Sequence, residues 1–220
     1  MTAPALSLTT PVGAIAAHLP GAAALFRSVG IGFCCHAERS LAEAAAHGGI
    51  DATALLDRLE SLRTDADRAA PQATQALIDH ILDRYHATHR RELAELVPLA
   101  RKVERVHGDR DGAPAGLADL LTAMRIEMEE HMAKEEQMLF PMMRSGGHPM
   151  IVHPIAVMRA EHKGHGEQLR ALEHLMRGFA VPEEACGSWR ALIVGVKKFA
   201  ADLVTHMHLE NDVLFPRFGG

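Results

Sequence analysis

Two stretches of the chain nearly repeat each other: "HMAKEEQMLFP" at residues 131–141 and "HMHLENDVLFP" at residues 206–216. They are identical at six of eleven positions, which include a His, a Glu four residues later and a closing Leu-Phe-Pro. An internal repeat is a stronger guide to architecture than local propensity. The two stretches therefore predict that one structural unit occurs twice in the chain.

The repeat extends upstream through a second pair of motifs. "RYHATHR" contains His86 and His89, and "AEHKGHG" contains His162 and His165, so each copy has H-x-x-H followed by H-x-x-x-E. In each copy the first His of the upstream motif precedes the His of the downstream motif by 44 or 45 residues. That separation fits two antiparallel helices and their turn. The sequence thus predicts a duplicated helical hairpin.

The composition favours an all-α protein. Ala, Leu, Glu, Met and Arg are abundant, aromatic residues make up 4% of the 220 residues, and strand-forming residues do not alternate in runs. The predicted architecture is a four-helix up-down bundle, preceded by a small helical domain at residues 1–65 and a linker at 66–76. The bundle domain spans 77–220, and its helices are expected near 73–107, 114–144, 149–179 and 182–216. Asp51 is the expected N-cap of the last short helix.

Charge and hydropathy exclude several classes of partner. The formal net charge is −5 and the basic residues are scattered among acidic ones, so nucleic acid is not an expected partner. No stretch approaches 18 apolar residues, and the first residues lack a basic segment leading into an apolar run, which predicts neither a membrane span nor a secretory signal. Three Cys, two of them adjacent, suit a reducing compartment. We therefore expect a cytoplasmic protein.

The repeated residues predict a metal centre. Residues four apart lie on one face of a helix, so each H-x-x-x-E presents an imidazole and a carboxylate together. In an antiparallel bundle the first His of each H-x-x-H can point to the same place. Unpaired polar groups would be costly in such a core, whereas two metal ions would bind them. The spacing predicts His131, Glu135, His206 and Glu210 as metal ligands, together with one His from each H-x-x-H motif.

Four further residues are candidates for supporting these ligands. His89 and His165 lie three residues after the first His of each motif and are candidates for contacts behind the ligands or for alternate ligands. Glu127 and Asp202 each precede a predicted ligand His by one helical turn, where a carboxylate could orient the imidazole. Imidazole and carboxylate together suit iron, manganese or zinc. Two carboxylates leave two divalent ions with net positive charge, which predicts that the centre also binds an added anion or an exogenous ligand.

Cys34 and Cys35 form the other unusual feature, within "GFCCHAERSLAEAA". They precede a predicted helix start, where the helix dipole favours a thiolate. Adjacent cysteines lack the C-x-x-C spacing of common zinc sites. Three roles remain open for the pair: exposed redox thiols, labile iron ligands or a contact with a partner protein.

Several stretches together closely resemble the RIC proteins, the di-iron "repair of iron centres" family, and they span nearly the whole chain. These stretches are "GFCCHAERSLAEAA", "DHILDRYHATHRREL", "RKVERVHGD", "EEHMAKEEQMLFPM", "EACGSWRAL" and "HMHLENDVLFPR". The resemblance implies a hemerythrin-like domain with a di-iron centre, in which Glu135 and Glu210 bridge the ions. The four terminal ligands that it implies are His86, His131, His162 and His206.

The resemblance also implies a function. Members of the family act under nitrosative and oxidative stress and are proposed to donate iron to damaged iron-sulfur proteins, with Cys34 and Cys35 as candidate transfer thiols. Two other functions remain open: a di-iron reductase of nitric oxide or a peroxide, and a hemerythrin-like sensor of oxygen or nitric oxide. A homodimer is a further possibility. The attached cysteine domain favours iron donation or redox work over oxygen carriage.

Overall fold

The computed structural model describes residues 6–33 and 36–219, and this part of the chain is helical, with no strand. The all-α prediction is therefore confirmed. Cys34 and Cys35 lie outside the described residues. Four short helices come first: α1 (Val12–His18), α2 (Ala22–Ser28), α3 (Leu41–His47) and α4 (Ala52–Ala69).

The predicted cap of α4 is present. The Asp51 side chain accepts hydrogen bonds from the backbone N–H groups of Thr53 and Ala54, at 2.8 and 3.1 Å. These bonds satisfy two N–H groups that have no partner inside the helix. At the other end, α4 continues to Ala69, four residues past the predicted domain end at 65. The division into a domain at 1–65, a linker at 66–76 and a bundle at 77–220 remains a prediction.

Four long helices follow, close to the predicted ranges. They are α5 (74–107), α6 (117–144), α7 (Val152–Leu175) and α8 (187–214). A short 3₁₀ turn, Arg177–Phe179, follows α7, and another, Phe215–Phe218, follows α8. The helices break at residues 108–116, 145–151 and 176–186, and each of these breaks holds both Gly and Pro.

The bundle is antiparallel and contains two apolar layers. One layer includes Leu93, Leu121, Leu172 and Phe199, and the other includes Ile81, Phe140, Ile155 and Phe215.

Each long helix passes from one apolar layer to the other, and successive helices do so in opposite directions. The predicted metal ligands occupy the positions between the two layers on all four helices. The polar residues are therefore enclosed on both sides by apolar layers that the hydrophobic effect stabilises.

Three of the four long helices contain a π-helical turn at this polar layer. The π turns span Ile81–His86, Glu135–Leu139 and Leu209–Leu214, whereas α7 is α-helical throughout. A π turn adds one residue to a helix and often occurs at functional sites. Both H-x-x-x-E motifs thus have a π turn at or beside their Glu, which the 3.6-residue periodicity does not predict.

The N-terminal helices have their own apolar core and also contact the bundle. Val12, Phe26, Leu41 and Leu59 belong to this core. Helix α1 packs against α7 and α8. Among the described residues, no helix is both long and apolar enough to cross a membrane.

Two polar contacts attach the N-terminal helices to the bundle. Arg27 forms a 2.5 Å ion pair with Glu173 of α7, and this pair is largely buried. His208 of α8 bonds Asp67 of α4 at 2.9 Å and Asp212 at 3.0 Å. The end of α4 is thereby joined to the π turn of α8.

Residues 37–39, which follow the cysteine pair in the chain, are bonded to the start of α1. The backbone N–H groups of Val12 and Gly13 donate to the carbonyls of Arg39 and Ala37, both at 2.9 Å. This approach needs a glycine, since a Cβ on residue 13 would lie 2.5 Å from the Cβ and 2.9 Å from the Cα of Ala37.

We therefore expect Gly13→Ala to destabilise the protein by about 1–3 kcal/mol, because the added methyl group displaces backbone as well as side chain. Alanine at a helix position is otherwise more stable than glycine by about 1 kcal/mol, so a loss would come from the clash. Urea denaturation measures the free energy of unfolding. Gly32→Ala in the same loop is the control, since a Cβ there meets nothing within 4 Å; equal effects in the two variants would contradict the contact.

Candidate metal centre

The structure brings the six predicted ligands together in two groups. The first group contains His86, His206 and both glutamates, and the second contains His131, His162 and both glutamates. Within each group, one potential ligand atom per residue lies within 4.8 Å of all the others. Each of the six residues is at most 2% exposed. Glu135 and Glu210 belong to both groups, so the two groups share their carboxylates.

The imidazoles of each group face one another through Nε2. The Nε2 atoms of His86 and His206 are 3.1 Å apart, and those of His131 and His162 are 3.0 Å apart. Two such nitrogens repel each other unless a cation, either a proton or a metal ion, lies between them. Two ligands that bind one metal ion at a right angle, each at about 2.1 Å, are about 3.0 Å apart. The observed distances therefore fit metal coordination.

The two carboxylates lie between the imidazole pairs. Glu210 places Oε1 3.0 Å from His206 Nε2 and Oε2 3.1 Å from His162 Nε2. Glu135 Oε2 is 3.4 Å from the Nε2 atoms of both His86 and His131. Each carboxylate therefore touches both groups, which is the arrangement expected of bridging ligands.

Glu135 is the strongest structural argument for a cation at this site. Both of its carboxyl oxygens are buried and make no hydrogen bond to any described residue. Glu210 Oε2, which lies 3.1 Å from His162 Nε2, also has no hydrogen-bond partner among these residues. Leaving a buried carboxylate unpaired is among the costliest arrangements in a protein. A metal ion bound to these oxygens removes that cost, so the donor set fits a pair of cations.

The electrostatics of the two carboxyls agree with this interpretation. Burial raises the pKa of Glu135, and the charge of Glu210 raises it further, to about 8. Burial also opposes ionisation of Glu210, but the imidazoles of His206 and His162 lower the pKa of Glu210 well below its usual value. Two carboxylates in one buried pocket ionise together only when cations compensate them. The site is thus arranged to hold positive charge.

Polar side chains behind three of the imidazoles fix their orientation. The Nδ1 atom of His86 donates to Glu136 at 2.8 Å. In the second group, His131 Nδ1 donates to Glu161 at 2.8 Å and His162 Nδ1 donates to Asn211 at 3.0 Å. A hydrogen bond at Nδ1 sets the tautomer that presents the Nε2 lone pair to a metal ion.

The residues predicted to support the ligands make other contacts. Glu127 accepts a hydrogen bond from Gln168 at 2.7 Å. Asp202 pairs with Arg84 at 2.8 Å and with Lys198 at 2.7 Å.

His89 and His165 lie beside the ligands and belong to neither group. His89 is fully buried, and the centroid of its ring is 5.3 Å from that of His206. The His165 ring is 5.2 Å from that of His131, and its Nδ1 bonds Gln168 at 3.2 Å. Of the two His in each H-x-x-H, the structure therefore places the first one in the ligand groups.

Sequence reasoning missed Glu136, Glu161 and Asn211. The repeat contained a signal for two of them, because Glu136 follows Glu135 and Asn211 follows Glu210 at matching positions. Their partners lie on neighbouring helices, whereas Glu127 and Asp202 were predicted from spacing along a single helix. Glu161 precedes His162 directly, and no comparable signal marks it.

A helical bundle with a buried cluster of imidazoles and shared carboxylates is the architecture of a metal-binding protein. Comparison with known proteins agrees with this class. Residues 77–218 match the family described as "Hemerythrin HHE cation binding domain". Residues 8–63 match a "Domain of Unknown function (DUF542)".

Curated relatives resemble the chain over nearly its full length. A protein of Yersinia pseudotuberculosis serotype O:1b, called "Iron-sulfur cluster repair protein YtfE", is 44% identical over 209 residues, which is 94% of this chain and 95% of the relative. The protein of the same name from Citrobacter koseri is 43% identical over 211 residues, with the same two coverages. This chain belongs to the family of these iron-sulfur cluster repair proteins with a hemerythrin HHE domain.

The contact between Glu136 and His86 gives a direct test of the site. Glu136→Ala removes the acceptor of the His86 Nδ1 hydrogen bond, so we expect metal affinity to fall about 10- to 100-fold, measured by competition with a chelator. Glu129→Ala is the matched control. Glu129 also pairs with Arg90, at 2.8 Å as Glu136 does, but it is not bonded to any ligand His. Equal affinities in the two variants would contradict the role of Glu136.

Proposed function

We propose that this protein holds a di-iron centre and helps to repair damaged iron-sulfur clusters by donating iron. The observation that carries the proposal is the pair of buried ligand groups that share Glu135 and Glu210. The curated relatives supply the biological context, since their name assigns them to iron-sulfur cluster repair.

In this proposal Glu135 and Glu210 would be shared by the two ions, and the four imidazoles would complete the set of residues that hold them. Bound iron would supply redox chemistry and an ion for transfer. The protein's own residues bury the centre and hold the imidazoles of His86, His131 and His162 in the tautomer with a free Nε2. A mixed imidazole and carboxylate set without thiolate also suits manganese and zinc, so the choice of iron rests on the relatives.

The proposed centre and function also imply which ligands and partners the protein would bind. Two divalent ions with two carboxylates carry net positive charge, so nitric oxide, oxygen or a small anion are the proposed added ligands. The proposed partners are iron-sulfur proteins with damaged clusters, and such an activity fits a protein of the cytoplasm. A homodimer and the roles of Cys34 and Cys35 as transfer thiols remain predictions.

The ligand set can be tested by counting metal ions. We expect about two iron ions per chain in anaerobically purified protein and a loss of bound iron in His131→Ala and Glu135→Ala, because each removes a donor that the buried site cannot replace. Elemental analysis gives the count. His153→Ala is the control, since His153 is exposed on α7. Full iron content in both ligand variants would exclude the site.

Iron donation requires a separate experiment. Iron-loaded protein is incubated with an iron-sulfur protein whose cluster has been damaged by nitric oxide, and recovery of the cluster is followed spectroscopically. We expect the double variant Cys34→Ala and Cys35→Ala to keep its iron but transfer it more slowly. Cys186→Ala, which removes the third cysteine, is the control.

The same experiment separates donation from the other two functions. A donor loses iron as the acceptor gains it. A reductase would keep its iron while it consumed nitric oxide or a peroxide over many turnovers, and a sensor would bind the gas without turnover. Recovery of the cluster without loss of iron from this protein would count against donation.

A further inference from the structure

The internal repeat allows each ligand to be compared with its counterpart in the other copy. His86 corresponds to His162, and both donate from Nδ1 to the residue that follows a shared glutamate, Glu136 in one case and Asn211 in the other. Both groups therefore have an acceptor at this pair of ligands, a carboxylate in one group and a neutral amide in the other.

The other pair of ligands is not alike. His131 donates from Nδ1 to Glu161 at 2.8 Å. Its counterpart is His206, whose buried Nδ1 has no hydrogen-bond partner in the described part of the chain. The residue equivalent to Glu161 in the first copy is Tyr85, which directly precedes His86 as Glu161 precedes His162. Tyr85 stacks on the His206 ring, with centroids 5.6 Å apart and planes 9° apart.

The neighbours of His206 do not replace the missing acceptor. Asp202, one turn earlier on α8, has both oxygens engaged by Arg84, and its Oδ2 also binds Lys198. His89 lies against the His206 ring, but its two nitrogens make no hydrogen bond to any described residue. Stacking fixes the plane of the His206 ring, but no described side chain accepts a hydrogen bond from its Nδ1.

This difference has a known chemical consequence. An acceptor at the outer nitrogen of a ligand imidazole raises its basicity and fixes its orientation, and its loss typically costs 10- to 100-fold in metal affinity. The His131 and His162 position has two such acceptors, and the His86 and His206 position has one. Glu161 is itself held by Lys134 at 2.6 Å, which keeps the acceptor in place.

We infer that the two metal positions differ in strength, and that the ion between His86 and His206 is the exchangeable one. This inference rests on the proposed di-iron function and specifies which ion would be donated. Tyr85 and Glu161 are the positioning residues that create the difference.

Metal release to a chelator tests the inference. The full chain, loaded anaerobically with ferrous iron, is mixed with excess chelator, and the absorbance of the iron chelate is followed. We expect two phases of equal amplitude, with rates that differ about 10- to 100-fold if the affinity difference lies in dissociation. Release of all iron in one phase would overturn the inference.

Variants at Tyr85 and Glu161 show which phase of iron release belongs to which metal position. Glu161→Leu removes the acceptor of His131, so the slow phase should approach the fast one, while Glu161→Gln keeps an acceptor oxygen and should retain a slow phase. Tyr85→Glu offers His206 the acceptor that His131 has and should slow the fast phase. Tyr85→Phe keeps the stacking and should change neither rate.

The test remains decisive if one of these variants does not fold. Circular dichroism verifies the helical fold, and if Tyr85→Glu does not fold, the two Glu161 variants decide alone. An unchanged slow phase in Glu161→Leu would overturn the inference. The chelator assay contains no cluster protein, so its result is independent of the repair assay. Two phases of iron release together with a failure of cluster repair would count against the proposed function only. One phase together with successful repair would count against the inference only.

Discussion

The burial of four imidazoles and two carboxylates in one layer is the constraint on which the bundle depends. Apolar layers on both sides exclude water from these groups. The unbonded oxygens of Glu135 would be very costly there without a cation. Stability of the bundle and occupancy of the site are therefore linked, because an ion that binds only the folded protein stabilises it.

The helices and the clustering of the six predicted ligand residues could be predicted, because both follow from helical periodicity and the repeat. A His and a Glu four residues apart share a helix face, and the repeat shows which of many His matter. The π turns could not be predicted this way, since they depart from the regular helical period. The same limit applies to Glu161: its contact with His131 runs between helices, and residue spacing along one helix carries no information about such contacts. Glu127 and Asp202 have the spacing expected of acids that orient a ligand His. In the structure Glu127 bonds Gln168, and Asp202 pairs with Arg84 and Lys198.

The N-terminal helices combine an independent core with specific attachments to the bundle. Phe33, the residue before the cysteine pair, is buried against Phe26, and Ala37 beyond the pair is bonded to α1. Both sides of the cysteine segment are thus anchored to the same small domain. Arg27 and its ion pair with Glu173 connect that domain to α7. The packing of Phe33 and the backbone contact of Ala37 are not evident from the sequence motif alone.

The nearly complete burial of the ligand layer also has a kinetic meaning. All six side chains are at most 2% exposed, so an ion reaches or leaves them only when the helices separate transiently. Such local openings have free energies set by the packing around them. The rate of metal exchange is then governed by breathing of the bundle as well as by the strength of the metal bonds. Substitutions in the apolar layers, far from any ligand, would consequently alter how fast the protein loads and gives up its metal.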